Sequence, residues 1–195
     1  GWARPYVVIF AGVNPRTGER WADYSLAGGA GGGGASWGVD GWSTVGWVNA
    51  GGACHHGDSE SLEYKEPIRL IRHELREDSA EPGQWRGGFG AGHEVELLAD
   101  VAMTSISDGA QYPPPSRVGG GAADPAAKVH AKWTVAPDGS RAPVILQNVA
   151  PVAAGTTVLS HSAGGGGGGD PWLREPELVR DDVRDGLVSV AAARR

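Results

Sequence analysis

The sequence predicts an α+β fold: a β-rich body with long glycine-rich loops, followed by two short C-terminal helices. Three observations predict it. Short runs of β-branched and aromatic residues alternate with turn chemistry through most of the chain. Glycine supplies 33 of 195 residues, well above the usual share of about 7%, and does so beside eight tryptophans and 40% hydrophobic residues. After Pro171 the pattern changes to a charged, helix-forming stretch with start and stop signals of its own.

Tyr6 to Phe10 reads as a strand, and Asn14-Pro15-Arg16-Thr17-Gly18 as a turn leading to a second run around Trp21 to Leu26, so the two form a hairpin. Residues 28–52, GGAGGGGASWGVDGWSTVGWVNAGG, sustain neither a period of 2 nor one of 3.6. They read as an ordered, irregular Gly/Trp-rich loop lining a cleft. In YKEPIRLIRHELR (64–76), Ile68, Ile71 and Leu75 have helical spacing, whereas Pro67 and the short length favour a strand. From His93 to Met103, Val95, Leu97, Ala99 and Val101 alternate with acids, apart from Leu98, as in one half-buried strand. Residues 110–127 are turn and loop chemistry, and Pro137-Asp138-Gly139 joins Val129–Val135 to Pro143–Val149 as a hairpin. Pro176 suits a first helical turn, Glu175 and Glu177 suit its dipole, Gly186 suits its C-terminal cap, and Ser189 suits the cap of a further short helix. These elements divide the chain into a body, 1–163, and a segment of glycine loop and helices, 164–195, within one domain.

The net charge of −6 and the absence of a basic stripe argue against a nucleic-acid partner. No apolar stretch has the length of a membrane span. A single cysteine, Cys54, cannot form an internal disulfide, which suits a reducing, cytoplasmic compartment. The apolar run beginning almost at Gly1, and the ending at Arg194-Arg195 with no closing element, fit a fragment or split subunit of something larger.

Each stretch with chemical potential has a plainer reading beside it. Gly34-Ala35-Ser36-Trp37-Gly38 spells a nucleophile elbow without the strand–turn–helix context that would expose Ser36, so a glycine loop competes with a serine nucleophile. Cys54, His55, His56 and Asp58 gather ligand types, but adjacent residues on an extended chain point to opposite sides. Remote His93, His130 or His161 would have to complete a metal site; otherwise the stretch is a polar loop. The six glycines 164–169 could present backbone N–H groups to an anion. Asp170-Pro171 follows where a phosphate loop needs Lys and Ser or Thr, which excludes that nucleotide motif. Asp181, Asp182 and Asp185, interleaved with Arg180 and Arg184, read as an ion-paired, solvated helix face.

Taken together, the sequence resembles the hydantoinase B / 5-oxoprolinase B-half family, which also includes the large subunits of acetone and acetophenone carboxylases. The resemblance is carried by the glycine run 164–169 with Asp170-Pro171, Glu177-Leu178-Val179 and Asp182-Val183-Arg184-Asp185-Gly186. It continues in Pro67-Ile68-Arg69, His73-Glu74-Leu75-Arg76, Trp85-Arg86-Gly87-Gly88 and Glu94-Val95-Glu96, and in Gly28-Gly29 to Asp40-Gly41, Tyr112-Pro113-Pro114 and Gly119-Gly120. Gly168 stands where the family usually has an aromatic, and His73 where it usually has Tyr.

The resemblance implies a strand at 67–76 and places the chain as roughly the last third of such a protein. It implies an ATP-dependent cyclic-amide hydrolase of hydantoinase/oxoprolinase type. Its partners would be a hydantoinase A-type ATPase subunit, which holds ATP and Mg, and the N-terminal part of the B-type subunit. A Zn or Mn ion in the complex would belong to that N-terminal part, and no cofactor is expected on this chain. A ketone carboxylase subunit and a non-catalytic assembly subunit are the alternatives. The residues singled out for a substrate cleft are His55, His56, Arg86 and His161, with Gly164, Gly165, Gly166, Gly167, Gly168 and Gly169 as the loop shaping it.

Overall fold

A computed structural model describes residues 6–25, 31–45, 58–107, 130–145 and 147–194. Two antiparallel sheets dominate. The four-stranded sheet has the order β2-β1-β5-β8, and the five-stranded sheet the order β3-β4-β9-β6-β7.

The first hairpin forms as the sequence predicts. β1 (Tyr6–Val13) pairs with β2 (Arg20–Ser25) across a turn in which Gly18 takes φ +74°. Buried Asn14 organises that turn: its Oδ1 accepts the Arg16 N–H, while its Nδ2 donates to the Lys65 carbonyl at 3.0 Å. The hairpin thereby holds the end of α1 (Ser59–Lys65), a helix capped by Asp58 through the Ser61 N–H, which keeps the Asp58 carboxyl below its usual pKa.

β3 (Ile68–Leu75) is a strand, as the resemblance implies, and its helical spacing has a physical cause. Leu70 faces Val95 and Arg72 faces Glu94, so Ile71 is the extra residue of a bulge, half exposed, and does not belong to the inward set. Arg72 pairs with Glu94, and Arg69 with Glu96, across the ladder to β4 (Ala91–Leu97).

The expected single strand from His93 to Met103 is two. β4 ends at Leu97 and β5 (Val101–Ser107) lies in the other sheet. Leu98, which breaks the alternation, is exposed at the crossover, where its N–H donates to the Pro67 carbonyl and Asp100 accepts from Ala154. The later hairpin also differs from expectation. β6 (Ala131–Val135) pairs with β7 (Arg141–Pro143) across the predicted turn, but Gln147 at φ +59° redirects the chain and β8 (Val149–Val152) joins the four-stranded sheet. β9 (Thr157–His161) then returns between β4 and β6.

The sheets share one apolar core of Val8, Phe10, Val101 and Met103 from one and Ile68, Val95, Leu97 and Val158 from the other. Toward one end of this space the inward residues become polar: His93, Ser160, Lys132 and Ser105 are all buried. Lys132 on β6 reaches across to the opposite sheet, donating to Ser105 Oγ at 2.7 Å and to the Val7 carbonyl at 3.2 Å. Burial pushes its amine down from 10.5 to about 6. The predicted terminal helices are present as α2 (Pro176–Arg184) and α3 (Val190–Ala193), with Pro176 in the first turn, Gly186 at φ +72° past the end, and Ser189 capping the second through the Ala192 N–H.

The depressed Lys132 pKa makes a signed prediction. Between the folded value of about 6 and the unfolded value of 10.5 the unfolded chain binds more protons, so this group makes stability rise with pH across that window. Chemical denaturation at a series of pH values should show that rise in the parent chain and a flatter profile in Lys132→Met. Identical slopes would contradict a desolvated amine.

Candidate functional site

Beyond the sheets, the glycine-rich stretches form a bundle of extended backbones. Segments 31–35, 40–45, 79–83, 85–90 and 163–168 lie side by side and are joined by main-chain hydrogen bonds running in several directions, not only within one plane. In the run itself, Gly165 N–H donates to the Gly88 carbonyl at 2.8 Å, the Gly165 carbonyl accepts from Glu81 N–H at 3.1 Å, and the Gly166 carbonyl accepts from Ala35 N–H at 2.9 Å. Gly88 N–H donates to Gly33, and Gly33 N–H donates to Trp42, at 2.8 and 2.7 Å. Gly164 to Gly167 are buried.

Close approach, not a left-handed backbone, requires glycine here. A Cβ on Gly87 would overlap the Gly165 carbonyl, and one on Gly165 would overlap the Gly33 carbonyl. Gly168 differs: its nearest neighbour for a Cβ is Ala35 Cβ at 3.6 Å, an ordinary contact. A methyl group fits at that position. The Gly34–Gly38 stretch is a tight turn in which Ser36 and Val39 exchange main-chain hydrogen bonds around Gly38 at φ +81°, with no helix after Ser36.

A charge cluster fastens the C-terminal helices to this bundle. Arg86 Nε donates to both oxygens of Asp182, at 2.9 and 3.1 Å. Arg174 forks onto Asp40 at 2.8 and 2.9 Å and reaches Asp182 Oδ2 at 3.0 Å. Asp40 also accepts the Arg86 main-chain N–H at 2.9 Å, and the Arg86 guanidinium lies 4.4 Å from the centre of the buried Phe89 ring. Burial opposes the Arg174 charge, but hydrogen bonding and attraction from Asp40, and then from Asp182, prevail and hold its pKa above the usual arginine value. Asp78 supplies a second fastening: its N–H donates to the Leu187 carbonyl, and its carboxylate accepts from Ser189 N–H at 2.7 Å.

Between the bundle and the helices lies a cleft of about 360 Å³, bounded by Glu81, Pro82, Arg86, Trp172, Arg174, Val179, Asp182 and Ala193 among others. Of the residues singled out from sequence, Arg86 is in its wall. Gly164 to Gly169 stand behind the wall, in the bundle. His161 is on β9 with its ring edge-on to Trp133 at 5.3 Å and is not among the residues that bound the cleft. His55, His56 and Cys54 lie outside the described residues, and Asp58 is spent as a helix cap. Among the described residues no group of three or more His, Cys, Asp and Glu could hold a metal ion, and no helix is long and apolar enough to cross a membrane.

The ion-paired helix face read from sequence holds for Asp181 and Asp185, which pair with Arg180 and Arg184 at the surface. It does not hold for Asp182, which is buried and joins the cluster. Asp40, Arg174 and Asp182 were missed as a set because Asp40 and Arg174 are 134 positions apart and no local pattern links them. The only signal was that Arg86, Asp40 and Asp182 each stood inside a family-like block.

A two-sheet body extended by a packed glycine-backbone bundle, with two terminal helices clamped over it, defines a structural class in which backbone, not side chains, fills an interior. Residues 2–171 match the hydantoinase B/oxoprolinase family model, and the chain belongs to that family. It is 31% identical over 133 residues to the B component of a putative D-/L-hydantoinase from Pseudomonas sp. (strain NS671), covering 67% of this chain and 22% of the relative. It is 34% identical over 144 residues to the beta chain of caprolactamase from Pseudomonas jessenii, covering 73% and 25%. The crystal structure of the ATP-dependent caprolactamase from that organism superposes with a TM-score of 0.81 at 28% identity, over 99% of this chain and 34% of that one. A nucleotide-free acetone carboxylase structure has a TM-score of 0.68 at 20% identity, over 96% and 28%, which shows a shared fold. The chain thus spans about a quarter of the length of its curated relatives.

This geometry sets the stability of the bundle and of the clamp. Within the run, Gly165→Ala should cost about 3 kcal/mol, because backbone must move to admit the methyl group. Gly168→Ala should be neutral or stabilising by about 0.5 kcal/mol through the unfolded chain. Equal tolerance at both positions in thermal unfolding would rule out the close-packed bundle. At the clamp, Asp182→Asn should cost about 3 kcal/mol and speed amide exchange across 176–193, because it leaves two largely buried arginines to share the one carboxylate of Asp40. Asp181→Asn, at the exposed face, should change neither.

Proposed function

We propose that the chain is the C-terminal part of an ATP-dependent cyclic-amide hydrolase of hydantoinase/oxoprolinase type, working with a hydantoinase A-type ATPase subunit and the remainder of a B-type subunit. The observation that carries this reading is the match to caprolactamase: 34% identity to its beta chain, and near-complete superposition of this chain on the ATP-dependent enzyme. Caprolactam is a cyclic amide. The ketone carboxylase alternative has a weaker footing, since acetone carboxylase superposes less closely and at 20% identity.

The chemistry explains why such an enzyme needs ATP. An unstrained amide carbonyl is a poor electrophile and its nitrogen a poor leaving group. Transfer of the γ-phosphoryl group to the amide oxygen releases ADP and makes that carbon open to water. Collapse of the hydrated adduct breaks the C–N bond, the nitrogen taking up a proton and leaving as the amine, and gives an acyl phosphate; a second water then displaces phosphate from it and leaves the carboxylate. The sequence of this chain has no phosphate-loop motif after its glycine run, since Asp170-Pro171 stands there, so nucleotide binding is assigned to the A-type partner, and the B-type subunit is assigned the steps on the substrate.

Within that assembly the chain contributes a wall. Arg86 is a positioning residue in this reading: its Nε is committed to Asp182 and its Nη1 to the Gly87 carbonyl at 3.1 Å, so it sets the shape of the cleft beside Trp172. His161 is assigned no part in that wall, and a metal, Zn or Mn, is assigned to the remainder of the B-type subunit. In the assembled complex, ATP-dependent opening of a five- to seven-membered lactam or hydantoin, followed by release of ADP and phosphate, is the expected activity. Arg86→Lys should raise KM for the cyclic amide more than it lowers kcat, because the Nε contact to both oxygens of Asp182 is lost while the charge stays. Bicarbonate-dependent carboxylation of a ketone, with no amide opening, would replace this reading by the carboxylase one.

A further inference from the structure

The glycine bundle carries an unusual apolar surface. Trp37, Trp42 and Trp172 are 89%, 68% and 81% exposed, and Val39 and Leu173 beside them in sequence are exposed as well. They stand on two short stretches, 36–42 and 170–173, that the Asp40–Arg174 fork draws together. Trp37 packs against Trp85 with the rings tilted and their centroids 4.6 Å apart, and the Trp85 main chain bridges Gly168, so the surface is built directly on the bundle. Three such rings alone place roughly 500 Å² of aromatic area in solvent, about the largest apolar patch an ordinary monomer shows.

Charge narrows the occupant. The arginines bonded to the Asp40 loop that carries this surface, Arg86 and Arg174, are matched by Asp182 and Asp40 and turn inward. Apolar area whose own arginines are already neutralised suits a phosphate backbone or an anionic lipid surface poorly and resembles the cut face of a larger core. Length supplies the rest: 99% of this chain superposes on only 34% of the caprolactamase chain.

We infer that the Trp37–Trp42–Trp172 face is the seam against which the remainder of a B-type subunit packs, an apolar intra-subunit interface and not a contact with nucleotide, lipid or the ATPase partner. This rests on the proposed membership of a B-type subunit and adds the surface by which it is joined.

The test co-expresses the chain in trans with the remainder of its B-type subunit as a separate polypeptide and measures their affinity and the ATP-dependent lactam opening of the complex. Trp37→Ser/Trp42→Ser/Trp172→Ser should weaken association at least about a hundredfold, as loss of central aromatic anchors does, with an unchanged thermal midpoint of the chain itself. Ile145→Ser/Leu75→Ser, exposed apolar positions elsewhere, should leave association within about threefold of the parent. Undiminished association of the triple variant, no association of the parent, or a parent homodimer that the triple variant dissolves would each overturn the inference. Association that depends on the tryptophans in a complex that opens no lactam would uphold the seam and defeat the functional reading. Tryptophan-independent association with lactam opening would do the reverse.

Discussion

The structure depends on main chain packed against main chain. In a sheet, a strand bonds to neighbours on its two edges and turns its side chains to the two faces. In the glycine bundle the faces are occupied by other backbones as well: the segment 163–168 bonds to 31–35, to 79–83 and to 85–90. A side chain at Gly87 or Gly165 would stand where a neighbouring carbonyl already is. Glycine is therefore a steric requirement at these positions. It carries a cost, since glycine loses more backbone freedom on ordering than any other residue. A polyglycine stretch has no apolar side chains to bury in return, so its order must come from its hydrogen bonds and from whatever anchors its ends.

Two anchors are visible, and they differ in kind. At one end the bundle grows out of the β4–β9 pair. Ser162 N–H donates to the Ala91 carbonyl, Ala91 N–H donates to Ser162 Oγ at 2.6 Å, and Gly90 N–H donates to Ser79 Oγ at 3.0 Å, so the ladder passes without a break into segments 85–90 and 163–168. The Arg76 guanidinium also donates to the Ser162 carbonyl at this junction. At the other end, Asp40, Arg86, Arg174 and Asp182 draw together a loop, the bundle and helix α2. A partly buried ion cluster of this sort adds little net stability over an apolar one, but its fork geometry admits few alternative arrangements. The sheet junction supplies order, and the charge cluster supplies position.

This division explains what could be read from the sequence. Features written in neighbouring residues were legible: the Asn14–Gly18 turn, the Pro137–Gly139 turn, Pro176 opening α2, and Ser189 capping α3. Features that depend on exclusion from a partner were not. Ile71 imitates a helical position because a bulge set against Val95 and Glu94 leaves it outside the ladder. Leu98 looks like a flaw in one strand because nothing local reveals that the chain changes sheets there. Asp182 shares a helix with exposed Asp181 and Asp185, and only the docking of that helix over Arg86 distinguishes it. The glycine run itself was legible as ordered, yet its placement behind the cleft wall required knowing which other glycines meet it.

A scaffold held by backbone contacts also accounts for the pattern of likeness to other proteins. The fold persists to a TM-score of 0.68 at 20% identity with acetone carboxylase, and 0.81 at 28% with caprolactamase. Side-chain cores lose stability when single methylenes change, so they couple sequence to structure tightly. A glycine bundle concentrates that coupling in the few positions where a Cβ has no room and frees the others. Gly168, with room beside it, belongs to the free class; Gly165 does not. Arg86 is constrained for a different reason, because its donors and its ring contact are already engaged inside the fold. Variation is therefore most damaging where charge or carbonyl already meets glycine.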